Sequence, residues 1–300
     1  MYINFPNFNP IIFSIGPISA HWYGLMYIIS FLFAIWFGNK NNINKNNLWN
    51  KQDINKLFYS VFLGVCIGGR IGYIIFYNFS YFSKNILSIF KTWEGGMSFH
   101  GGLLGAIIVI FYFSLKYKKK FLEISDFLIP LVPFGLAAGR LGNFINGELW
   151  GRVAPNISYA MLFPNSIYED LKFIKKNPQL QPLLEKYGAL PRHPSQLYEF
   201  FLEGIVLFII IYLFNRKKRP IGSISGLFLI LYGTFRITIE FFREPDPQIG
   251  LLNNIITMGQ ILSIPMIIIG IIIVIKSVYN THIKWFIKNE TIHNINKKYY

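Results

Sequence analysis

Cysteine is all but missing from this chain. Cys66 is the only one, and it lies inside an apolar run. No intrachain disulfide and no cysteine-built metal site is available. A lone cysteine in such a run either packs as a small hydrophobe or serves as a nucleophile. Charge is scarce as well: 14% of the 300 residues are charged, against about a quarter in soluble domains. The shortage falls on the acids, with 14 Asp and Glu against 29 Lys and Arg, for a formal net charge of +15. The histidines at 21, 100 and 193 are scattered and show no metal-ligand spacing, so no metal is expected. No glycine-rich loop of the nucleotide-binding type is present, no cofactor is implied, and no internal repeat appears. The first charged residue is Lys40, so the basic start of a secretory signal is lacking and the first apolar run is expected to be a retained helix.

What the chain has in abundance is apolar length. It is 53% hydrophobic and 18% aromatic. Apolar runs fall at about 20–38, 57–77, 97–115, 121–145, 196–214, 222–242 and 257–277, each near the 20 residues that a bilayer core requires. The alternation of a membrane β-barrel is absent. The expected fold is therefore an all-α polytopic membrane protein of about seven transmembrane helices. Residues 1–19 are apolar but broken by Pro6, Pro10 and Pro17, and read as an arm at the membrane interface anchored by Tyr2, Phe5, Phe8 and Phe13.

The basic residues orient the bundle. Lys40, Lys45, Lys51 and Lys56, then Lys116 to Lys120, then Arg216 to Arg219, then the tail from Lys276 to Lys298 fall on alternate connections, which places them all on the cytoplasmic side. The other side receives the arm, loop 78–96, loop 146–195 and loop 243–256 with Glu244 and Asp246. The N-terminus is then outside and the C-terminus inside. The same distribution argues against nucleic-acid binding, because the basic residues sit in membrane-flanking loops and form no patch on a soluble fold. Loop 146–195, with six prolines, reads as a small extramembrane cap, and 278–300 as a basic cytoplasmic tail.

With this topology, polar residues of five helices collect in the outer half of the bilayer. They are His21 and Tyr23; Ser98 and His100; Arg140, Asn143, Asn146 and Glu148; His193, Ser195, Gln196, Glu199 and Glu203; and Tyr232, Arg236, Glu240 and Arg243. Tyr232, Arg236, Glu240 and Arg243 share one helix face, at i, i+4, i+8 and i+11. Arg236–Glu240 and Arg140–Glu199 can be read as structural ion pairs. Taken together, however, the buried charges exceed what pairing needs and point to a site. Arg70, in mid-span, is read either as part of that site or as a tether for a carboxylate, and Asp126 as structural. Two arginines in the outer leaflet match the phosphate of an anionic phospholipid headgroup. His100 is placed to act as a general base or to position the headgroup. Two other classes stay open. One is a transporter or channel for an anionic solute on Arg140 and Arg236. The other is an intramembrane protease on Ser98–His100 or Ser195–His193.

The stretch from Gly139 to Gly151, GRLGNFINGELWG, resembles the hallmark motif of the prolipoprotein diacylglyceryl transferases. So do FSIGPISAHWYGLMY (13–27), GGRIGYIIFYN (68–78), WEGGMSFHGGLLG (93–105), LPRHPSQLYE (190–199), GLFLILYGTFRITIEFFREPD (226–246) and MGQILSIPM (258–266). The likeness runs to about residue 277. It implies transfer of a diacylglyceryl group from phosphatidylglycerol to the lipobox cysteine thiol of a preprolipoprotein signal peptide, with release of glycerol 1-phosphate. It also implies a multi-pass enzyme of the bacterial cytoplasmic (inner) membrane, its site, arm and cap facing the periplasm, formed by one seven-helix domain over 1–277. By motif, Arg140, Arg236 and His100 take catalytic roles. Arg140, Tyr23, Asn143, Glu148, Gly151, Tyr232, Glu240 and Arg243 take substrate-binding roles.

Overall fold

A computed structural model describes residues 2–16, 18–44, 49–91, 95–245 and 256–298, with side chains left undescribed at 18, 42–44 and 282–298. Pro17, Lys45 and Asp246, and the lysine side chains of the tail beyond 281, lie outside the described residues. In chain order the elements are strand β1 (Ile3–Asn4), the hairpin strands β2 (Ile11–Ile15) and β3 (Ile18–His21), and helices α1 (Trp22–Asn44), α2 (Lys51–Tyr77), α3 (Phe79–Lys84) and α4 (Phe99–Lys116). Then come α5 (Phe121–Leu128), α6 (Val132–Ile145), β4 (Met161–Leu162), α7 (Ile167–Lys176), α8 (Gln181–Tyr187) and β5 (Pro191–Arg192). The chain ends with α9 (Ser195–Glu199), a π-helical turn (Phe200–Val206), α10 (Leu207–Asn215), α11 (Ser223–Glu240) and α12 (Met258–Lys298).

Seven helical segments are long and apolar enough to cross a membrane: Trp22–Asn41, Lys51–Tyr77, Phe99–Lys116, Phe121–Ile145, Ser195–Asn215, Ser223–Glu240 and Met258–Thr281. They match the seven apolar runs of the sequence within a few residues. The largest difference is at α2, which begins at Lys51 because Asn50 caps it through the Gln52 amide, so that Lys51 and Lys56 are helical rather than loop residues. Span four is not one regular helix. A 3-10 turn at Ile129–Leu131 interrupts it, where Pro130 and Pro133 lack the amide donors that an α-helix needs.

The chain forms two compact units, one of residues 15–18 and 29–131, the other of residues 1–14, 19–28 and 132–300. In the first, Trp49, Ile54, Leu57, Phe58, Phe113, Ile124, Leu128 and Leu131 form the buried core. Its α2 and α4 lie backbone against backbone: a Cβ on Gly105 would strike the Gly64 carbonyl, and one on Gly101 the Gly68 carbonyl. This is small-residue packing of the kind used where lipid offers no hydrophobic drive. Arg70 is buried here and pairs with no carboxylate among the described residues. Its guanidinium donates to the carbonyls of Ser88, Ile89, Lys91, Gly95 and Gly96 at 2.5–3.2 Å, so it staples the loop after α3.

In the second unit the long loop folds into a cap around the three-stranded sheet β1-β4-β5, with β1 parallel to β4 and β4 antiparallel to β5. The N-terminal arm is thus partly built into the cap. Tyr2 donates to the Pro155 carbonyl, and Phe5 packs on Phe144 and Phe163. Phe8 also meets the Phe5 and Phe144 rings edge-on while staying exposed, as Phe13 does.

Candidate active site

The polar residues of spans four, five and six meet in one network inside the second unit. α6 supplies Arg140, α9 supplies Glu199, the π turn supplies Glu203, and α11 supplies Arg236 and Glu240, with Arg243 just beyond. Glu199 and Glu203 are both fully buried. The Arg140 guanidinium contacts Glu199 Oε2 through Nε and Glu203 Oε2 through Nη2, each at 3.4 Å. Arg236 Nη1 lies 2.5 Å from Glu199 Oε1 and 3.6 Å from Glu203 Oε1, while its Nη2 pairs with Glu240. Arg243 Nη1 reaches the same Glu240 Oε1 at 3.5 Å. Three arginines thus face three glutamates, so the formal charges cancel. Glu203 is the third anion of the network, so every arginine in it has a carboxylate within 3.5 Å.

The two central arginines are held differently. Arg236 is gripped at short range by two carboxylates. Arg140 has two long contacts, its side chain is 18% exposed, and its Nη1 makes no hydrogen bond among the described residues. On the acid side, Glu199 Oε2 and Glu203 Oε1 are buried and accept no hydrogen bond among the described residues, having only long ion-pair contacts to Arg140 and Arg236. A buried acceptor without a donor is costly unless something fills it. The arrangement therefore offers a spare donor and two spare acceptors within one charged cluster. A π-helical turn begins directly after Glu199 and carries Glu203, and such turns recur at functional sites. The turn is pressed against span four, where a Cβ on Gly204 would come within 2.5 Å of the Ala137 Cβ.

The other expected residues divide. Asn143 is buried and donates to Glu148 Oε1 at 2.9 Å, and Asn146 donates to the same oxygen at 3.3 Å. Glu148 is thereby fixed at the exit of α6, with Gln196 donating to its carbonyl at 2.7 Å. Leu149, next along, has φ 59, a left-handed conformation unusual for its type, and Ser195 Oγ donates to its carbonyl. Gly151 forms an antiparallel bridge with Arg243, and any Cβ there would meet Phe242 O and His193 O within 2.6 Å. Its role is to let the cap approach the end of α11. Tyr23 packs on Gly142 and shares a hydroxyl contact of 3.2 Å with Tyr27. Tyr232 stacks on Phe228, one helical turn before Arg236 on α11. His100 belongs to the other compact unit, in the first turn of α4, with an exposed ring.

Glu199 and Glu203 were weighed in the sequence only as a pairing partner and a deeper neighbour, although two acids four residues apart inside an apolar run are themselves the signal. Gly259 was not singled out at all. It lies directly over the Glu240 carboxylate, within 2.5 Å of where a Cβ would stand. The protease reading fails on geometry: Ser195 donates to a carbonyl, His193 Nδ1 pairs with the Tyr198 hydroxyl at 3.0 Å, and Ser98 caps α4 through the Gly101 amide. No group of three or more His, Cys, Asp or Glu suited to a metal occurs among the described residues.

Residues 10–276 match the family model of the prolipoprotein diacylglyceryl transferases. The chain belongs to that family. It is 74% identical over 279 residues to the phosphatidylglycerol–prolipoprotein diacylglyceryl transferase of Buchnera aphidicola subsp. Acyrthosiphon pisum, covering 93% of this chain and 99% of that one. Its identity to the proteins of the same name from Serratia proteamaculans and Escherichia fergusonii is 57% in each case, over 91% of this chain and 94% of theirs. This family member is a multi-pass membrane protein, and its helix count fits that class.

Proposed function

We propose that this chain transfers the diacylglyceryl group of phosphatidylglycerol to the lipobox cysteine thiol of a preprolipoprotein, the first step of bacterial lipoprotein maturation. The names of its relatives and the Arg140–Glu199–Glu203–Arg236 network support the reading. A C–S bond forms at the terminal glycerol carbon of the diacylglyceryl group. The C–O bond to phosphate breaks, and glycerol 1-phosphate leaves with the electron pair. The thiol proton passes to a base. The nucleophilic sulfur comes from the substrate, so Cys66 is not needed.

The single observation that carries the proposal is the loose hold on Arg140. A phosphate taking the place of one 3.4 Å contact meets a donor fork held only by long bonds, and Arg236 still stands beside the carboxylate it releases. Negative charge grows on that phosphate as the bond breaks, and a preplaced donor stabilises it most at that moment. Arg236, gripped by Glu199 and Glu240, serves as the fixed cation of the network. Glu199 Oε2 and Glu203 Oε1 are the acceptors for the hydroxyls of the glycerol headgroup. Asn143, Glu148, Gly151, Tyr23, Tyr232, Glu240 and Arg243 shape the headgroup side, and His100 is proposed as the thiol base or as a headgroup contact. The enzyme is placed in the cytoplasmic (inner) membrane as one functional unit over 1–277, N-terminus out, with cap and site toward the periplasm and tail 278–300 in the cytoplasm. The test is direct. Purified protein is mixed with phosphatidylglycerol and a lipobox peptide, and thioether-linked lipid is sought by mass spectrometry. Native, folded protein giving no lipidated peptide would end the proposal.

A further inference from the structure

Helix α7 of the cap has one buried face and one exposed face. α7 turns Asp170 inward, where the carboxylate is fully buried and accepts from Ser166 Oγ at 2.8 Å, the Leu190 amide at 2.9 Å, and Arg192 Nε and Nη2 at 2.8 and 2.7 Å. The opposite arc holds Ile167, Tyr168 and Leu171, exposed by 40%, 66% and 51%, interleaved with exposed Lys172, Lys175 and Lys176. At 100° per residue these six side chains fill one half of the helix. Lys172 lies over the Tyr168 ring at 4.0 Å and also donates to Glu169 Oε1 at 3.2 Å, an exposed contact that a lipid phosphate can share. Three lysines in the last two turns have an ordinary reading as partners of the helix dipole. That reading leaves the three large apolar residues beside them unexplained.

The height of the helix suggests what covers it. Arg192, which pins Asp170, stands three residues before span five begins at Ser195, and its other partner, Glu244 at 3.0 Å, stands four residues after span six ends at Glu240. Three extended residues reach about 10 Å, so the base of α7 sits at the rim where two spans leave the bilayer. The headgroup layer is only several ångströms thick on each side. An apolar face with flanking lysines at that height matches an interfacial helix.

We propose that α7 docks on the lipid bilayer surface, with Ile167, Tyr168 and Leu171 inserted among the headgroups and Lys172, Lys175 and Lys176 binding anionic phospholipid. The occupant is the membrane surrounding the protein itself. The charge complementarity is with acidic headgroups, so the helix gathers anionic lipid beside the cap.

The test uses the full chain in lipid nanodiscs, in a Cys66→Ser background. Leu171→Cys is labelled with an environment-sensitive fluorophore, and brominated phosphatidylcholine serves as quencher. Discs containing phosphatidylglycerol are expected to quench the label by about twofold or more relative to discs of phosphatidylcholine alone. The triple variant Lys172→Gln/Lys175→Gln/Lys176→Gln is expected to lose that difference. A label unquenched in both lipids overturns docking. Quenching that ignores both lipid charge and the lysines overturns the anionic recognition. None of these readouts requires catalysis, so the result stands apart from that of the lipidation assay.

Discussion

Arg140 and Arg236 look alike in the sequence and differ in the fold. Arg140→Ala takes from buried Glu203 its one hydrogen bond among the described residues but leaves Arg236 beside both carboxylates, so turnover is expected to fall by about 10²–10³-fold with a modest loss of stability. Arg236→Ala removes the short-range partner of both Glu199 and Glu240, which are buried and keep only the longer contacts to Arg140 and Arg243, so it is the costlier of the two. Breaking a buried pair in this way costs about 3–5 kcal/mol, so this variant is expected to lose thermal stability as well as activity. Paired melting and lipidation assays on the two variants check the contrast; equal melting points would refute it. His193 gives a pH prediction. Burial pushes its imidazole below the ordinary histidine value, so the fold prefers it neutral. That preference is intact above about pH 6.5 and is lost as pH falls through the lowered value. The wild type should therefore lose more melting temperature between pH 7.5 and 5 than His193→Gln does, as differential scanning in detergent would show. Which residues are ionisable was legible in the sequence. Which carboxylate faces which guanidinium was not, because partners such as Arg140 and Glu203 stand 63 residues apart.

Among the elements, the spans were legible because bilayer thickness fixes their length. The interruptions were less so. Pro130 and Pro133 were visible, yet the apolar run continues through them. The π turn of span five has no sequence signature, and β1, β4 and β5 are too short for a period of two to show. Arg70 has no sequence-local partner type at all, since its ligands are backbone carbonyls. Packing at the glycines yields the prediction for this scale. Gly105→Ala drives a methyl into the Gly64 carbonyl of α2 and should destabilise by about 1–3 kcal/mol. Gly139→Ala has open space around it and replaces a helical glycine, so stability should hold or rise by about 0.5–1 kcal/mol. Denaturant unfolding of both variants in mild detergent reads the difference, and a destabilised Gly139→Ala would count against this account of span four.

For the whole molecule, the alternation of basic loops predicts which face each connection occupies. In a Cys66→Ser background, Glu185→Cys in the cap should react with a membrane-impermeant thiol reagent in intact cells, and Lys217→Cys should react only after the inner membrane is opened. The reverse pattern would invert the bundle. The cancelling charges of the central network have a consequence of another kind. A lone buried charge feels the transmembrane voltage, at about 2.3 kcal/mol per 100 mV. Three arginines and three glutamates feel it only as a small dipole. The resting site is then blind to whether the membrane is energised. In proteoliposomes, imposing or collapsing a potassium diffusion potential should leave the lipidation rate unchanged, so that a cell with a failing proton-motive force would still lipidate any substrate delivered to the site.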